Sequence, residues 1–258
     1  MGARTLPQLH AVRRAPRAFR HVSIWSDNSR RVVAVTGLTK EARIAAGPGV
    51  HAIAGGGNAP ALAAALEREL ARGAGAVMSF GIAGGLAEEL VRGTWLVARA
   101  IVTPAERWPC DAAWARSIAE RLPGAWTADL AGVNAPVSEP AAKRELHLAT
   151  GAAAVDTESH IAAAIAAAHG LPFAAFRVVA DSVRRSLPPA ASVALAPNGK
   201  ISGGAVLGSL ARTPAQLPSL LGTAIDARMA FRALLRGRRL LGPGLAYPDL
   251  GELLFDVS

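Results

Sequence analysis

AVDTESHIAAAIAAAHGLPFAAFRVVADS, residues 154–182, is the stretch on which the fold turns. It opens with a short polar lead-in and continues as an alanine-rich helix. It then turns at Gly170-Leu171-Pro172 and leaves as a strand ending in an acid. The lead-in Val155-Asp156-Thr157-Glu158 puts two carboxylates at the helix start, where the helix dipole favours negative charge. From Phe173 to Ala180 the chain is almost wholly apolar, the pattern of a strand covered on both faces. Asp181 follows at the strand's carboxyl end, the edge of an open α/β sheet at which ligands bind. A carboxyl group there has two readings. It caps the next turn, or it is partly desolvated and held protonated as an acid.

Working outward, strands and helices alternate. Residues 31–37, RVVAVTG, read as a buried strand, and LTKEARIAA continues as a helix carrying Glu41. VHAIAGGG is a second strand running into glycines. Asn58 caps the helix APALAAALERELARG, which closes at Gly73. AVMSF is a third strand, with Gly81-Ile82-Ala83-Gly84-Gly85 expected as a glycine-rich turn at its end. TWLVARAIVT and TADLAGVNAPV are further strands, with helices expected near 111–121 and 139–148. After Asp181 the texture changes to proline-rich turns at 187–189 and 196–199, then helical pieces near 204–211 and 214–236. The alternation predicts a three-layer α/β domain around a mostly parallel sheet, spanning residues 31–245, with 246–258 as a tail.

Residues 1–30 hold six arginines and one acid, Asp27, without a continuous apolar core, and read as a basic, poorly ordered arm rather than a secretion signal. The whole chain has 28 Lys+Arg against 19 Asp+Glu, a formal charge of +9 that favours an anionic partner. Arginine is used for lysine throughout, so basicity alone does not indicate nucleic acid, and none is expected as a partner. The single cysteine, Cys110, excludes an intramolecular disulfide and a cysteine-built metal site. No apolar run reaches a membrane span, which leads to the expectation of a soluble, cytoplasmic protein.

Stock motifs are absent. There is no GxSxG, and Asn198-Gly199-Lys200-Ile201-Ser202 lacks the leading glycine and residue order of a P-loop. Gly55-Gly56-Gly57 does not spell GxGxxG, and the six histidines lack metal-ligand spacing. What remains is a set of glycine segments and carboxylates at element ends.

In their order, TGLTKEA, AGGGNAPALAAAL, MSFGIAGGLAEELVRGTWLV, VDTES and RVVADS resemble the nucleoside phosphorylase and nucleosidase superfamily. The resemblance covers residues 31–182 and is nearest to the methylthioadenosine/adenosylhomocysteine nucleosidases. Beyond it, DSVRRSLPPAASVALAPNGKI and the segment 210–244 resemble a hopanoid-associated branch, implicated in removing adenine from adenosylhopane. The family fold implied is a central mixed, mostly parallel sheet flanked by helices. No cofactor is implied beyond phosphate as a possible co-substrate, and the family forms homodimers or larger homo-oligomers.

The resemblance also assigns roles. Asp181 would protonate the leaving purine at N7, Glu158 would take the ribose hydroxyls, and Glu41 would activate the attacking water. Thr157, Val137, Ile82, Ala83, Gly84 and Arg177 would complete the substrate site, Val137 by its backbone at the adenine edge. Arg177 is equally readable as a structural ion pair. Two departures stand out. The nucleosidases carry Ser before the terminal Asp, where this chain has Ala180. Phosphorylases commonly grip phosphate with a Ser and an Arg at places held here by Ile82 and Ser79, leaving Arg43 or glycine-turn N–H groups as substitutes. The sequence is compatible with both hydrolysis and phosphorolysis.

Leucines alternate with arginines in ALLRGRRLLG, which suggests an apolar channel for a lipid-linked nucleoside over residues 204–242. A basic face there would contact the inner side of an anionic membrane, and a solvated helix end is the alternative. Three functions follow: an enzyme acting on adenosylhopane, a soluble methylthioadenosine/adenosylhomocysteine nucleosidase, or a non-catalytic nucleoside-binding module.

Overall fold

The computed structural model describes residues 31–192, 199–200 and 202–248. The basic arm of residues 1–30, most of the turn at 196–199 and the end of the tail lie outside the described residues. Eight strands form one mixed sheet: β1 (Val32–Thr36), β2 (Val50–Ala54), β3 (Ala76–Gly85), β4 (Trp95–Val102), β5 (Arg107–Pro109), β6 (Trp126–Gly132), β7 (Ala154–Asp156) and β8 (Phe173–Asp181). Every residue of β1 is buried, as its unbroken VVAVT run requires of a strand with neighbours on both edges and helices on both faces. It pairs in parallel with β2 and β3, and β3 pairs in parallel with β8.

The sheet does more than lie open. β8 bonds to β4, β4 to β6, β6 to β7, and β7 back to the far end of β3. These five strands close on themselves, with β1–β2 and β5 as extensions. The closure depends on the length of β3. The glycine-rich turn expected at residues 81–85 is a correction: these residues continue the strand and carry its pairing from β8 across to β7. Glycines favour turns locally, but here they let the strand bend across the rim of a closed sheet with buried side chains pressed against it. The polar lead-in at 154–156 is likewise a strand, because its three residues complete the ring.

Near its end β8 slips register against β3: Ala83 faces Val179, whereas Gly84 faces Asp181. Ala180 is the extra residue, a bulge that re-aims the strand's terminal side chain.

Helices cover both faces. On one side α2 (Ala59–Ala71) and α5 (Ser159–Ala168) lay Leu62, Leu66, Ala162 and Ala166 onto the sheet. Asn58 caps α2 by accepting the N–H of Ala61. On the other side lie α1 (Thr39–Ala45), α3 (Ala112–Arg121) and the 25-residue α8 (Leu217–Leu241). Trp114 of α3 is fully buried and donates its indole N–H to Leu245 O at 2.9 Å, while its ring meets that of Tyr247. α4 (Pro140–Thr150) packs Leu146 against the cluster of Leu86, Val102, Ala131, Ala152 and Val155. The short α6 (Pro189–Ser192) and α7 (Gly203–Arg212) link β8 to α8, with no buried residue in α7.

Candidate active site

The carboxyl ends of β1, β3, β7 and β8 meet at one rim and surround a cleft of about 260 Å³. Its walls include Glu41, Ile82, Ala83, Gly84, Val137, Thr157, Glu158, Ala180 and Asp181, side chains or backbone from segments up to 140 positions apart. Ala180 and Asp181 are consecutive in a strand yet both line the cleft. Strict alternation forbids that, and the bulge permits it.

Glu41 reaches the rim from the first turn of α1. Its Oε2 accepts the N–H of Leu38 at 2.7 Å, the acidic half of a capping box. Its Oε1 accepts the N–H of Ile82 at 2.8 Å, tying α1 to the bent end of β3. The side chain is buried, and burial raises its pKa against the opposing Arg177 charge and backbone N–H groups. A carboxylate with raised proton affinity is a better base near neutral pH.

The two acids of the lead-in divide their work. Asp156 turns inward, accepting the N–H groups of Glu158 and Ser159 at 3.1 and 2.8 Å, and so caps α5. Its other oxygen meets Arg177 Nε at 2.6 Å. Arg177 also donates to Ser79 Oγ at 2.6 Å and Ser159 Oγ at 3.2 Å. It is completely buried and does not line the cleft. Its place is beneath the floor, where its charge is felt by both Glu41 and Glu158.

Glu158, which borders the cleft as Asp156 does, accepts a hydrogen bond on its Oε1 from Thr157 Oγ1 at 2.6 Å. Burial raises its pKa to about 7, the neighbouring Asp156 charge adds to the rise, and Arg177 at 3.9 Å opposes it. Gly37 passes so close that a Cβ there would lie 2.8 Å from Glu158 Oε1, so only glycine leaves the carboxyl its place.

Asp181 is also largely buried, which raises its pKa. Opposing that rise is Lys143 of α4, a fully buried residue whose Nζ donates to Asp181 Oδ2. The same Nζ donates to Ser182 O at 3.1 Å and Arg185 O at 3.0 Å. Lys143 was not legible as a site residue. It sits in the ordinary-looking PAAKREL segment, and only the fold brings it to Asp181.

Of the residues singled out in the sequence, the cleft gathers Glu41, Ile82, Ala83, Gly84, Val137, Thr157, Glu158 and Asp181. Arg43 stays out. Two positions after Glu41 on α1, it points some 200° around the helix and is exposed to solvent. Ser79 belongs to the Arg177 cage. Among the described residues, no lysine or arginine lines either this cleft or the adjoining cavity of about 240 Å³, bordered by Gly55, Gly56, Asn58, Asn134 and Ile161. The two spaces share Pro136, Thr157 and Glu158. Among the described residues no cluster of three or more His, Cys, Asp or Glu could hold a metal ion. Cys110 lies buried away from the cleft, its thiol pushed up to about 12 by burial.

Three buried carboxyl groups, each with its proton affinity raised by burial, border one cleft, an arrangement able to support acid–base chemistry. The chain belongs to the Phosphorylase superfamily, which it matches over residues 9–194. No curated protein sequence matches it. Among solved structures it is similar to an S-adenosylhomocysteine nucleosidase from Streptococcus pyogenes in complex with 5-methylthiotubericidin. That likeness has 14% identity and a TM-score of 0.59, and covers 87% of this chain and 99% of the other. A futalosine hydrolase of Helicobacter pylori is similar at 13% identity and TM-score 0.54, over 82% and 97% of the two chains. The 5'-methylthioadenosine/S-adenosylhomocysteine nucleosidase of S. pneumoniae with a transition-state inhibitor is similar at 14% and 0.54, over 82% and 99%. At these identities the likeness establishes the α/β nucleoside phosphorylase-like fold.

Proposed function

We propose that this protein cleaves the N-glycosidic bond of a purine nucleoside by hydrolysis, releasing adenine. The observation that carries the reading is the convergence of Glu41, Glu158 and Asp181 on one cleft, each buried and each with raised proton affinity. Water attacks the anomeric carbon as the C–N bond breaks. Glu41 takes the water's proton, and the protonated Asp181 gives its own to purine N7, so the base leaves neutral. Glu158 accepts the ribose hydroxyls, hydrogen bonds that strengthen as positive charge develops on the sugar. Water is favoured over phosphate because, among the described residues, the cleft lining has no cationic side chain and Arg43 faces away.

For the substrate, we take adenosylhopane, or a nucleoside of the same lipid-linked kind, as the leading choice. Supporting it is the outer face of α8. Leu217, Leu221, Ile225 and Met229 follow at four-residue spacing and are all exposed, with arginines 228, 232, 236 and 239 continuing that face. The helix's one acid, Asp226, is buried, so nothing on the outer face repels anionic lipid. Among the described residues no helix is long and apolar enough to cross a membrane. Contact would therefore be peripheral. The second reading, a methylthioadenosine/adenosylhomocysteine nucleosidase, is favoured by the names of the similar structures.

Adenine release from adenosylhopane and from methylthioadenosine, with phosphate present and rigorously absent, tests both. Phosphate-independent release from the lipid nucleoside is expected. A phosphoribosyl product would overturn hydrolysis, and cleavage of methylthioadenosine alone would overturn the lipid assignment.

A further inference from the structure

Lys143 poses a question that the proposed chemistry does not use. A lysine with no exposed surface is rare unless it is paired, and its nitrogen here is surrounded by three oxygens, one for each ammonium donor. One belongs to the Asp181 carboxyl. The other two are main-chain carbonyls of Ser182 and Arg185, on the segment that leaves β8 directly after the acid. The nitrogen therefore fixes the acid and the path of the chain beyond it together. It engages Asp181 Oδ2 only, and no hydrogen bond from the described residues reaches Oδ1. The residue before the acid is Ala180, which offers no side-chain donor.

We propose that Lys143 is the positioning residue for Asp181, holding Oδ2 against the protein so that Oδ1 is the oxygen presented to the leaving base. This rests on the reading of Asp181 as the general acid. A carboxyl group free to rotate would divide its time between orientations, and a proton must be delivered in one. The same contact governs when the acid is loaded. Burial favours the protonated form and the ammonium favours the carboxylate, so the two oppose each other at one atom.

Three charged groups face Asp181 from the elements packed around it. Lys143 comes from α4, Arg185 from the segment after β8, and Asp226 from α8. Asp226 is paired with Arg92 and with Arg185, the latter at 3.6 Å, so those two charges form a network that does not need Lys143. Removing Lys143 thus keeps the ion pairs of Asp226 with Arg92 and Arg185 available while freeing the carbonyls of Ser182 and Arg185, which the Gln variant still serves with a donor.

The sign follows directly. As a general acid Asp181 must be protonated, so the rate falls as pH rises through its pKa. Without the ammonium that pKa rises further, and the alkaline limb moves to higher pH. An opposite charge in contact is worth about 1 to 3 pH units. The direct measurement is a carboxyl-carbon NMR titration of protein labelled at aspartate. The Asp181 signal is the one lost in Asp181→Asn, and titration is followed in wild type, Lys143→Met, Lys143→Gln and Lys143→Arg. Gln keeps a donor toward the two carbonyls and serves if Met prevents folding.

We expect the Asp181 midpoint to rise in Met and Gln and to stay near wild type in Arg. The alkaline limb of adenine release from methylthioadenosine or adenosylhopane should move with it. An unmoved midpoint in Gln, or an equal rise in Arg, would overturn the role of Lys143. Full adenine release by Asp181→Asn would instead overturn the reading of Asp181 as the acid, whatever the titrations show.

Discussion

At the scale of single residues, burial is the cause of the chemistry. Glu41, Glu158 and Asp181 occupy places where water would keep them ionised if it reached them, and each has raised proton affinity because it does not. Asp181→Asn removes the acid without changing its shape, and adenine release should fall about 10² to 10⁴-fold, the ordinary weight of a general acid. Glu41→Gln should fall within the same range if water is the nucleophile.

Glu158 yields a prediction about stability. Its folded pKa is raised from 4.5 to about 7, so the folded state holds a proton that the unfolded chain has lost between those values. That contribution is complete below pH 4.5 and is lost as pH rises through about 7. Glu158→Gln, neutral at every pH, should therefore melt above the wild type at pH 8 and close to it at pH 5, while losing turnover. Calorimetry at the two pH values reads this, and a difference of the opposite sign would refute it.

At the scale of elements, the bend of β3 and the bulge of β8 place what the residues need. Gly81 has φ +157°, and a Cβ there would be driven into both Arg177 and Glu41 Oε1. Gly81→Ala should lower the thermal midpoint and cost activity together, with the backbone strain alone contributing about 1 to 3 kcal/mol. Arg177→Met should cost about 3 to 5 kcal/mol, because Asp156 is left buried without its partner. Chemical denaturation measures both.

These two features also mark where the sequence stopped being legible. β1, α2, α5 and β8 were readable from periodicity and caps, and Asp181 from its place at a strand end. Gly81–Gly85 read as a turn because glycine's local preference is for turns, and the pairing that makes it strand comes from β8 and β7, tens of residues away in sequence. Lys143 had no local signal at all. Asp156 and Glu158 looked alike in the polar lead-in; both border the cleft, but the fold engages the Asp156 carboxyl with Arg177 and the start of α5.

At the scale of the whole molecule, the outer face of α8 and the basic balance of the chain are the features to test against a membrane. Ile225→Asp with Leu221→Asp should lower co-sedimentation with anionic vesicles and adenine release from a lipid nucleoside, while leaving release from a small one unchanged. Equal binding by wild type and variant would remove membrane contact from the proposal. The ring of β3, β8, β4, β6 and β7 has a further consequence. A strand inside a closed circuit cannot peel away from one edge, so the acid at the end of β8 has no private route to disorder. Heat should thus silence this enzyme only when it melts the fold, and the inactivation and unfolding curves should superimpose.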